Sequence, residues 1–264
     1  MLDGQSNIEI RNDVVYALQH AIWLGDAPNV VIRGNVVSAK NSAEHPSPPA
    51  MGMLFGEGCT GASVENNLIS SEGSGIGFSR SSNINIRNNI IYSSVDAIGD
   101  SVTSGIAIRN NVIHASLGIT ISGPPDAIAP SIIIKGNIVY SEQKGISVLR
   151  TANSIIQNNK VYSTTKQGYV TELSGINNNI AFNKVSGNFA NGITIESFTI
   201  KDQNFDSTAN TVAKNTIIGA SIIGDMDTGI HLFPGTSGNT IVHNNISGVD
   251  TPISDQGTDN IIIP

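Results

Sequence analysis

The sequence predicts an all-β parallel β-helix, a solenoid of about ten rungs with three short strands in each rung. Three observations predict it: the composition, a repeat of about 22 residues, and an Asn that recurs at one position of that repeat. The 264 residues include 40 Ile, 30 Asn and 27 Gly but only 9 Leu. Ile favours strands, and Asn and Gly tolerate the left-handed backbone of tight turns. The composition therefore indicates many short strands joined by turns.

The repeat joins an aliphatic alternation to an Asn and a second aliphatic pair, as in residues 83–91, NINIRNNII. The recurring position holds Asp13, Asn35, Asn67, Asn89, Asn111, Asn137, Asn159, Asn183, Asn215 and Asn244. Four of the nine spacings are 22 residues, and the longer spacings indicate loop insertions. One copy is too short to bury an apolar face, so we expect the copies to stack. Each recurring Asn then points inward and hydrogen-bonds the buried backbone of its turn.

A second motif, Gly followed by an aliphatic residue, any residue and another aliphatic residue, predicts the third strand of each rung. It occurs at residues 75–78, 118–121, 145–148, 192–195 and 229–232. The connections on both sides of this Gly strand vary in length, whereas the Asn turn is nearly constant. Variable loops beside one face are typical of the walls of a binding groove.

Charge and composition exclude several classes of protein. The net charge is −7, so nucleic acid is not an expected partner. No apolar run approaches the length of a membrane span, and the single Cys59 excludes an internal disulfide. We expect residues 1–264 to form one β-helix domain. Since no signal peptide or end cap is visible, we expect either a fragment of a longer secreted protein or a subunit that stacks end to end.

These repeats resemble the right-handed parallel β-helix superfamily, the pectin-lyase-like fold, over nearly all of residues 7–263. They are most similar to its Asn-ladder branch, which includes polysaccharide lyases, mannuronan epimerases and NosD-like repeat proteins. The resemblance implies a right-handed, single-stranded helix and a polysaccharide partner on the Gly-strand face. A fragment of a longer secreted protein would have an extracellular or cell-surface location, which we expect here. The superfamily also contains hydrolases, tailspikes and non-catalytic adhesins, so the fold alone does not determine the function.

Acidic residues gather on one part of the Gly-strand face. The strand alternation predicts Glu172 and Glu196 in one outward column on adjacent rungs. Stacked like charges cost free energy unless a cation shares them, and a hard ion such as Ca²⁺ takes several oxygen ligands. The loop before the next Gly strand supplies Asp225 and Asp227. These four carboxylates therefore predict a calcium site.

The residues around this predicted site suit β-elimination from an acidic polysaccharide, which needs charge neutralisation, a base and an acid. Lys201 or His231 is the expected base, and Arg150 the expected charge partner. Thr194 on the same face and Trp23 on an end rung are the expected substrate contacts. The arrangement resembles the Ca²⁺-dependent β-helix alginate lyases in its carboxylate followed by Lys five residues later. The Asp-Pro-His motif of the epimerases is absent.

Two other functions stay open at this stage. Glu172 and Glu196 could serve as the two carboxylates of a glycoside hydrolase, and the low basic content suits a neutral glycan. The chain could instead be a non-catalytic, adhesive or self-assembling rod. An outward aliphatic column with nearby Tyr residues would then be a contact surface for another copy. That column consists of Val14, Val36, Leu68, Ile90, Val112 and Ile138.

Overall fold

The computed structural model describes residues 2–42, 49–124, 126–165, 169–201, 203–220 and 227–264. All regular structure within these residues is β, as predicted, and every strand pairing in the two large sheets is parallel. Pairing partners are one repeat apart in sequence, which is the connectivity of a parallel β-helix. Within the described part of the chain, no helix is present that could cross a membrane.

Three series of strands stack along the rod. The series before the Asn turn comprises Glu9–Arg11, Val31–Arg33, Ser63–Glu65, Asn85–Arg87, Ala107–Arg109, Ile133–Lys135, Ile155–Gln157, Asn179–Ala181, Thr211–Ala213, Thr240–Val242 and Ile261–Ile263. The series after the turn comprises Val14–Leu18, Val36–Lys40, Leu68–Ser71, Ile90–Ser93, Val112–Ser122, Ile138–Ala152, Lys160–Ser163, Lys184–Gly187, Thr216–Gly219 and Asn245–Ser247. Val112–Ser122 and Ile138–Ala152 run on into the third series, which is the Gly-strand face.

The Gly-strand face otherwise comprises Leu2–Asp3, His20–Gly25, Met51–Phe55, Ser74–Ser82, Asp96–Ser104, Tyr169–Ile176, Asn191–Ile195, Thr228–Leu232 and Thr251–Asp255. Short strands at its far edge are Ala129–Pro130, Ser207–Thr208 and Thr236–Ser237. An antiparallel hairpin, Phe198–Ile200 with Gln203–Phe205, projects from the connection after Asn191–Ile195. The variable connections thus flank the Gly-strand face, as the repeat lengths indicate.

The core is a set of stacked aliphatic columns. Val64, Ile86 and Ile108 pair in register and are fully buried. Each β-branched side chain packs on its equivalent in the rungs above and below, which suits the stiff χ1 of Ile and Val. This vertical packing explains why Ile outnumbers Leu in the sequence.

The recurring Asn side chains form a continuous hydrogen-bonded ladder inside the rod. Asn89 Oδ1 accepts from the backbone N of Asn67 at 2.9 Å, and Asn89 Nδ2 donates to Asn111 Oδ1 at 3.0 Å and to Val64 O at 2.9 Å. The same pattern continues from Asn35 to Asn244. The left-handed turn residue is the one before each ladder Asn, such as Asn88 with φ 56°, rather than the ladder Asn itself.

A second ladder explains a change in the repeat near the carboxyl end. In the earlier rungs an opening Asn precedes the ladder Asn by six residues, as Asn83 precedes Asn89, whereas in the last three rungs the gap is five, as from Asn178 to Asn183. Asn178 Nδ2 donates to Asn210 Oδ1 at 3.0 Å, and Asn210 and Asn239 continue the series to Asn260. It occupies the corner before the first strand series. Ser154 lies at the same corner one rung earlier, and its backbone N donates to Asn178 Oδ1 at 2.8 Å. The spacing change noted in the sequence is therefore a structural feature of this corner.

Replacing Asn89 by Ala is expected to lower the free energy of unfolding by about 3 kcal/mol, because it leaves several buried backbone and amide groups without hydrogen-bond partners. Urea denaturation measures this change. Asn85→Ala is the matched control, since among the described residues the Asn85 side chain accepts a long, part-buried 3.4 Å bond from Arg109 and takes no part in the ladder. Equal stability of the two variants would contradict a stabilising ladder.

The outward aliphatic column lies as the sequence predicts. Val14, Val36, Leu68 and Ile90 are in register, and each is more than a third exposed. The column continues through Val112 and Ile138. Association through this surface stays a prediction.

Candidate functional site

A groove runs along the Gly-strand face. Its floor is the outward column Gly77, Gly99, Thr120 and Ser147, in which each residue pairs with the next. The two glycines leave the floor open, and the groove encloses about 600 Å³. Its lining residues are Met51, Ser74, Gly77, Asp96, Gly99, Leu117, Thr120, Ile121, Ser122, Gln143, Lys144, Ser147 and Leu149. Lys144 and Ser147 lie at the end that leads to Glu172.

Glu172 continues the floor column beyond Ser147 and is only 2% exposed. Lys144 Nζ donates to both carboxylate oxygens, at 2.9 Å to Oε1 and 2.6 Å to Oε2. Ser147 Oγ also donates to Oε2. A buried carboxylate needs such partners to remain ionised. Lys144 also lies over the Tyr169 ring, with Nζ 5.8 Å from the ring centroid.

Glu172 and Glu196 share a hydrogen bond, and their pKa values move in opposite directions. Burial alone would raise the pKa of Glu172, but hydrogen bonds from Glu196, Lys144 and Ser147 outweigh burial and lower it. Burial raises the pKa of Glu196 to about 8, and the hydrogen bond and charge of Glu172 add to this effect. Near neutral pH the pair therefore holds one proton, on Glu196. Two neighbouring carboxyls whose pKa values are shifted in opposite directions are typical of acid–base sites.

The structure corrects the predicted register of this pair. Glu172 pairs with Ser147 and Thr194 in the first outward column, not with Glu196 in the second. Val170 takes the place that Gly145 has in the preceding rung and is buried. This rung lacks the Gly that marks the phase of the others, so the sequence alternation was read one residue out of step. Glu196 follows the end of its strand, where its backbone N bonds to Leu173 O at 3.1 Å, and it reaches Glu172 diagonally.

Arg150 is not the charge partner of the pair. Its Nε and Nη2 donate to the carbonyl of Gly123 at 3.1 and 2.9 Å, in a connection one rung away. Lys144 has the role that the sequence assigned to Arg150. Lys144 immediately precedes the Gly motif that begins at Gly145. It pairs with Leu117 on the neighbouring strand, and both residues line the groove. Reading the residue before each Gly would have found it.

The predicted calcium ligands do not assemble around the described residues. Asp225 lies outside the residues that the structure describes, and Asp227 is buried beside the start of the strand Thr228–Leu232. Within the described ranges, no group of three or more His, Cys, Asp or Glu residues is placed to hold a metal ion. Lys144 and Ser147 already contact the Glu172 carboxylate. Calcium binding at these residues stays a prediction.

His231 lies on the same column as Glu172, two strands further along through Thr194. Its Nδ1 is 3.2 Å from Asn191 Oδ1, which places the ring proton on Nδ1 and the lone pair on Nε2. Burial lowers the pKa of His231, opposed by a contact with Gln256, so the imidazole is neutral near pH 7. The Phe233 ring stacks on it at 4.0 Å. A neutral imidazole has the protonation state that a base needs, but its Nε2 is buried in this structure.

The remaining predicted residues lie away from the pair. Lys201 is exposed at the turn of the projecting hairpin. Thr194 is fully buried, so it offers no direct contact to a substrate. Trp23 is 41% exposed but lies six strand steps from Glu172, about 29 Å along the rod at the usual strand spacing. It belongs to the first rungs and does not join the carboxyl cluster.

Comparison with known proteins places the fold in a family. The family model described as "Periplasmic copper-binding protein (NosD)" matches residues 101–262, and "Right handed beta helix region" matches residues 1–124. The chain belongs to the NosD family. The fold is thus a right-handed parallel β-helix, as the repeats predict.

Individual relatives agree with this fold. A 67-residue segment is 42% identical to a mannuronan C5-epimerase of Pseudomonas putida, covering 24% of this chain and 13% of the epimerase. A mannuronan C-5 epimerase A-module of Azotobacter vinelandii superposes with a TM-score of 0.64 at 13% identity, over 98% of this chain and 84% of that module. DFA-IIIase from Arthrobacter chlorophenolicus, without its lid, gives 0.63 at 15% identity, over 98% and 63% of the two chains. The chain therefore spans only a small part of the curated epimerase.

The copper in the family description has no matching ligand set among the described residues. His20, His114 and His231 lie on separate strands, and the buried Cys59 Sγ contacts the Leu24 carbonyl at 3.5 Å. His45 lies outside the described residues. Copper sites draw on several convergent imidazole or thiolate groups, and the described residues do not bring such groups together.

Proposed function

We propose that this protein is a carbohydrate-active enzyme of the lyase or epimerase type, acting on an acidic polysaccharide in the groove of the Gly-strand face. The observation that carries the proposal is the carboxyl pair beside the end of that groove, in which Lys144 and Ser147 hold the buried Glu172 and Glu172 in turn raises the pKa of Glu196. The likeness to mannuronan epimerases supports a uronate as the sugar. A polysaccharide partner also favours a location outside the cytoplasm, in agreement with the periplasmic description of the family.

Both reactions begin with removal of the proton on the carbon next to the sugar carboxylate. Negative charge then develops on the carboxylate oxygens, and a preorganised donor that meets this charge stabilises the transition state. A glutamate with an ordinary pKa would be ionised and would repel the substrate. Glu196, with a pKa of about 8, is instead a neutral O–H donor. Lys144 cancels the charge of Glu172, so the pair does not repel an anionic chain.

His231 is the proposed base. The neutral imidazole lies two strand spacings from Glu172, about 10 Å along the rod. Nε2 of His231 is buried in this structure, so the proposed role requires substrate binding to uncover the imidazole. In a lyase the electron pair left on that carbon forms a C=C bond as the bond to the departing sugar oxygen breaks, and that oxygen takes a proton from the His231 imidazolium or from water. In an epimerase water returns a proton to the opposite face of the same carbon, and the imidazolium releases its proton to solvent.

Hydrolysis by the two carboxyls is less well supported. A retaining pair of carboxyls is about 5 Å apart and an inverting pair is further apart, whereas Glu172 and Glu196 are hydrogen-bonded to each other. Glu172 is also buried, so it is poorly placed to attack a sugar carbon. Its position instead suits a group that controls the protonation of Glu196.

Incubation with alginate, pectate and neutral glycans tests the proposal. A lyase forms unsaturated chain ends that absorb in the ultraviolet. An epimerase incorporates solvent deuterium at the carbon next to the carboxylate without chain cleavage. Either result on a uronate polymer supports the proposal. New reducing ends without unsaturation would favour the hydrolase, and the absence of any change with folded protein would favour the non-catalytic rod.

A further inference from the structure

A second outward column, on the strands after the Asn turn, carries aromatic rings on a face separate from the groove. Tyr92, His114, Tyr140 and Tyr162 pair in sequence, and their rings stack with centroids 5.0, 4.6 and 4.9 Å apart. Their interplanar angles are 14° or less. Neighbouring rings therefore cover each other's faces, and only rings at the ends of the stack keep a free face.

The stack stops at Tyr92 because the column changes from aromatic to serine. Ser70 pairs with Tyr92, Ser38 pairs with Ser70, and Tyr16 pairs with Ser38. Tyr16 and Tyr92 are thus three strand spacings apart, about 14 Å, with only two hydroxymethyl side chains between them. Since each stacked ring in the column occupies about one spacing, this gap has room for two ring-sized layers. Tyr16 is 75% exposed and Tyr92 is 46% exposed.

The sides of the gap differ in chemistry. Val36 and Leu68 form one side and are 38% and 41% exposed. Lys40 and Glu72 flank the other side, where Asn41 N donates to Glu72 Oε2 at 2.9 Å and joins the two rungs. Depressions of about 340 Å³ beside Tyr16 and about 670 Å³ beside Tyr92 border the gap. The gap therefore combines aromatic faces, an aliphatic edge and a hydroxyl floor.

We propose that this gap is a non-catalytic carbohydrate-binding site, in which a neutral pyranose ring stacks on the free face of Tyr92. One face of a pyranose is lined with C–H groups, which are attracted by the negative face of an aromatic ring. Its hydroxyl groups satisfy Ser38 and Ser70, which a flat apolar protein partner would bury without hydrogen bonds. The site does not involve Glu172 or Glu196 and does not depend on the activity proposed for the groove.

The double variant Ser38→Tyr with Ser70→Tyr tests the proposal by filling both layers of the gap with rings of the existing stack. Calorimetry and saturation-transfer NMR with cello- and manno-oligosaccharides measure binding in a Glu196→Gln background, which keeps groove chemistry from consuming the probe. We expect the double variant and Tyr92→Ala to weaken binding about tenfold. Tyr92→Phe keeps the ring face and is expected to bind normally. Gln157→Tyr adds a ring on the strand series before the Asn turn, outside this column, and is the matched control.

Equal affinity of the double variant and Gln157→Tyr would overturn the proposal and assign any binding to another surface. Binding of uronate oligosaccharides alone would also overturn it. Analytical ultracentrifugation tests whether a second copy of the chain fills the gap instead. Self-association that the double variant abolishes, without sugar binding, would make the gap an interface between copies. A catalytically silent groove with oligosaccharide binding that depends on Tyr92 would leave this proposal standing and the enzymatic one rejected.

Discussion

Replacing Glu196 by Gln is expected to lower kcat/KM on the uronate polymer about a thousandfold, within the range for loss of a positioned acid. Gln keeps the shape of the side chain and can still donate a hydrogen bond to Glu172. It cannot transfer a proton or form the same strong hydrogen bond to developing carboxylate charge. Initial rates across the polysaccharide panel measure the loss.

The pH profile of the wild-type protein distinguishes this role from simple substrate binding. Glu196 acts in its protonated form, so activity is expected to fall as pH rises through about 8. His231 acts in its neutral form, and burial lowers its pKa, so activity is retained well into the acid range before His231 becomes charged. The residual activity of Glu196→Gln should lack the basic limb. A basic limb that persists in that variant would assign the titration to another group.

Stability should respond to the same substitution in the opposite sense from activity. The folded pKa of Glu196 lies above the unfolded value of 4.5, so its contribution to stability is complete below pH 4.5 and is lost as pH rises toward 8. Across that window the unfolded chain releases a proton that the folded chain retains. Gln has no such proton. We therefore expect Glu196→Gln, despite its large loss of activity, to be at least as stable as the wild type at pH 8, by urea denaturation.

Glu57→Gln is the control for both measurements. Glu57 forms an ion pair with Arg80 at 3.0 Å, and both side chains are about 70% exposed. Exposed pairs of this kind contribute little to stability. This variant should match the wild type in rate, pH profile and stability. If Glu57→Gln and Glu196→Gln behaved alike, the carboxyl pair would have no special role.

The fold could be predicted from the sequence because the same motif occurs in every rung of a solenoid. Each copy of the Asn motif fixes the position of one ladder Asn and of the aliphatic residues beside it, and ten copies indicate the same stacking. Ile86 and Asn89 could therefore be placed in the core and in the ladder from spacing alone. The second ladder at Asn178 and Asn210 appeared in the sequence only as a change of spacing. Its position at a different corner required the structure.

The candidate site was harder to predict because it depends on departures from the repeat. Glu172 was identified, but on a rung without the Gly that sets the phase, so its column was misassigned. Lys144 was missed because it lies just before the Gly motif of its rung and not within that motif. Arg150 seemed to be the natural cation, yet a left-handed turn at its own position, with φ 52°, directs it to the Gly123 carbonyl. Contacts across rungs, unlike alternation along a strand, are not encoded by sequence spacing.

Lys144→Met is expected to reduce both stability and activity, because it leaves the Glu172 carboxylate buried without its cation. Losing one partner of a buried ion pair costs several kcal/mol, and partial exposure of Lys144 reduces the cost here to about 2 kcal/mol. Glu172 should respond by taking up a proton. Two neutral carboxyls would then replace the tuned pair, and Glu196 would lose the charged neighbour that raises its pKa. Denaturant unfolding and the pH–rate profile measure these two effects.

The double variant Lys144→Met with Glu172→Gln separates the two effects. Removing the carboxylate together with its cation leaves no unpaired buried charge, so stability should recover most of the loss. Activity should not recover, because Glu196 then lacks the anion that helps to hold its proton. Equal stability of the single and double variants would show that Lys144 acts through packing on Tyr169 and not through charge. Recovery of activity in the double variant would remove Glu172 from the proposed mechanism and leave Glu196 tuned by burial alone.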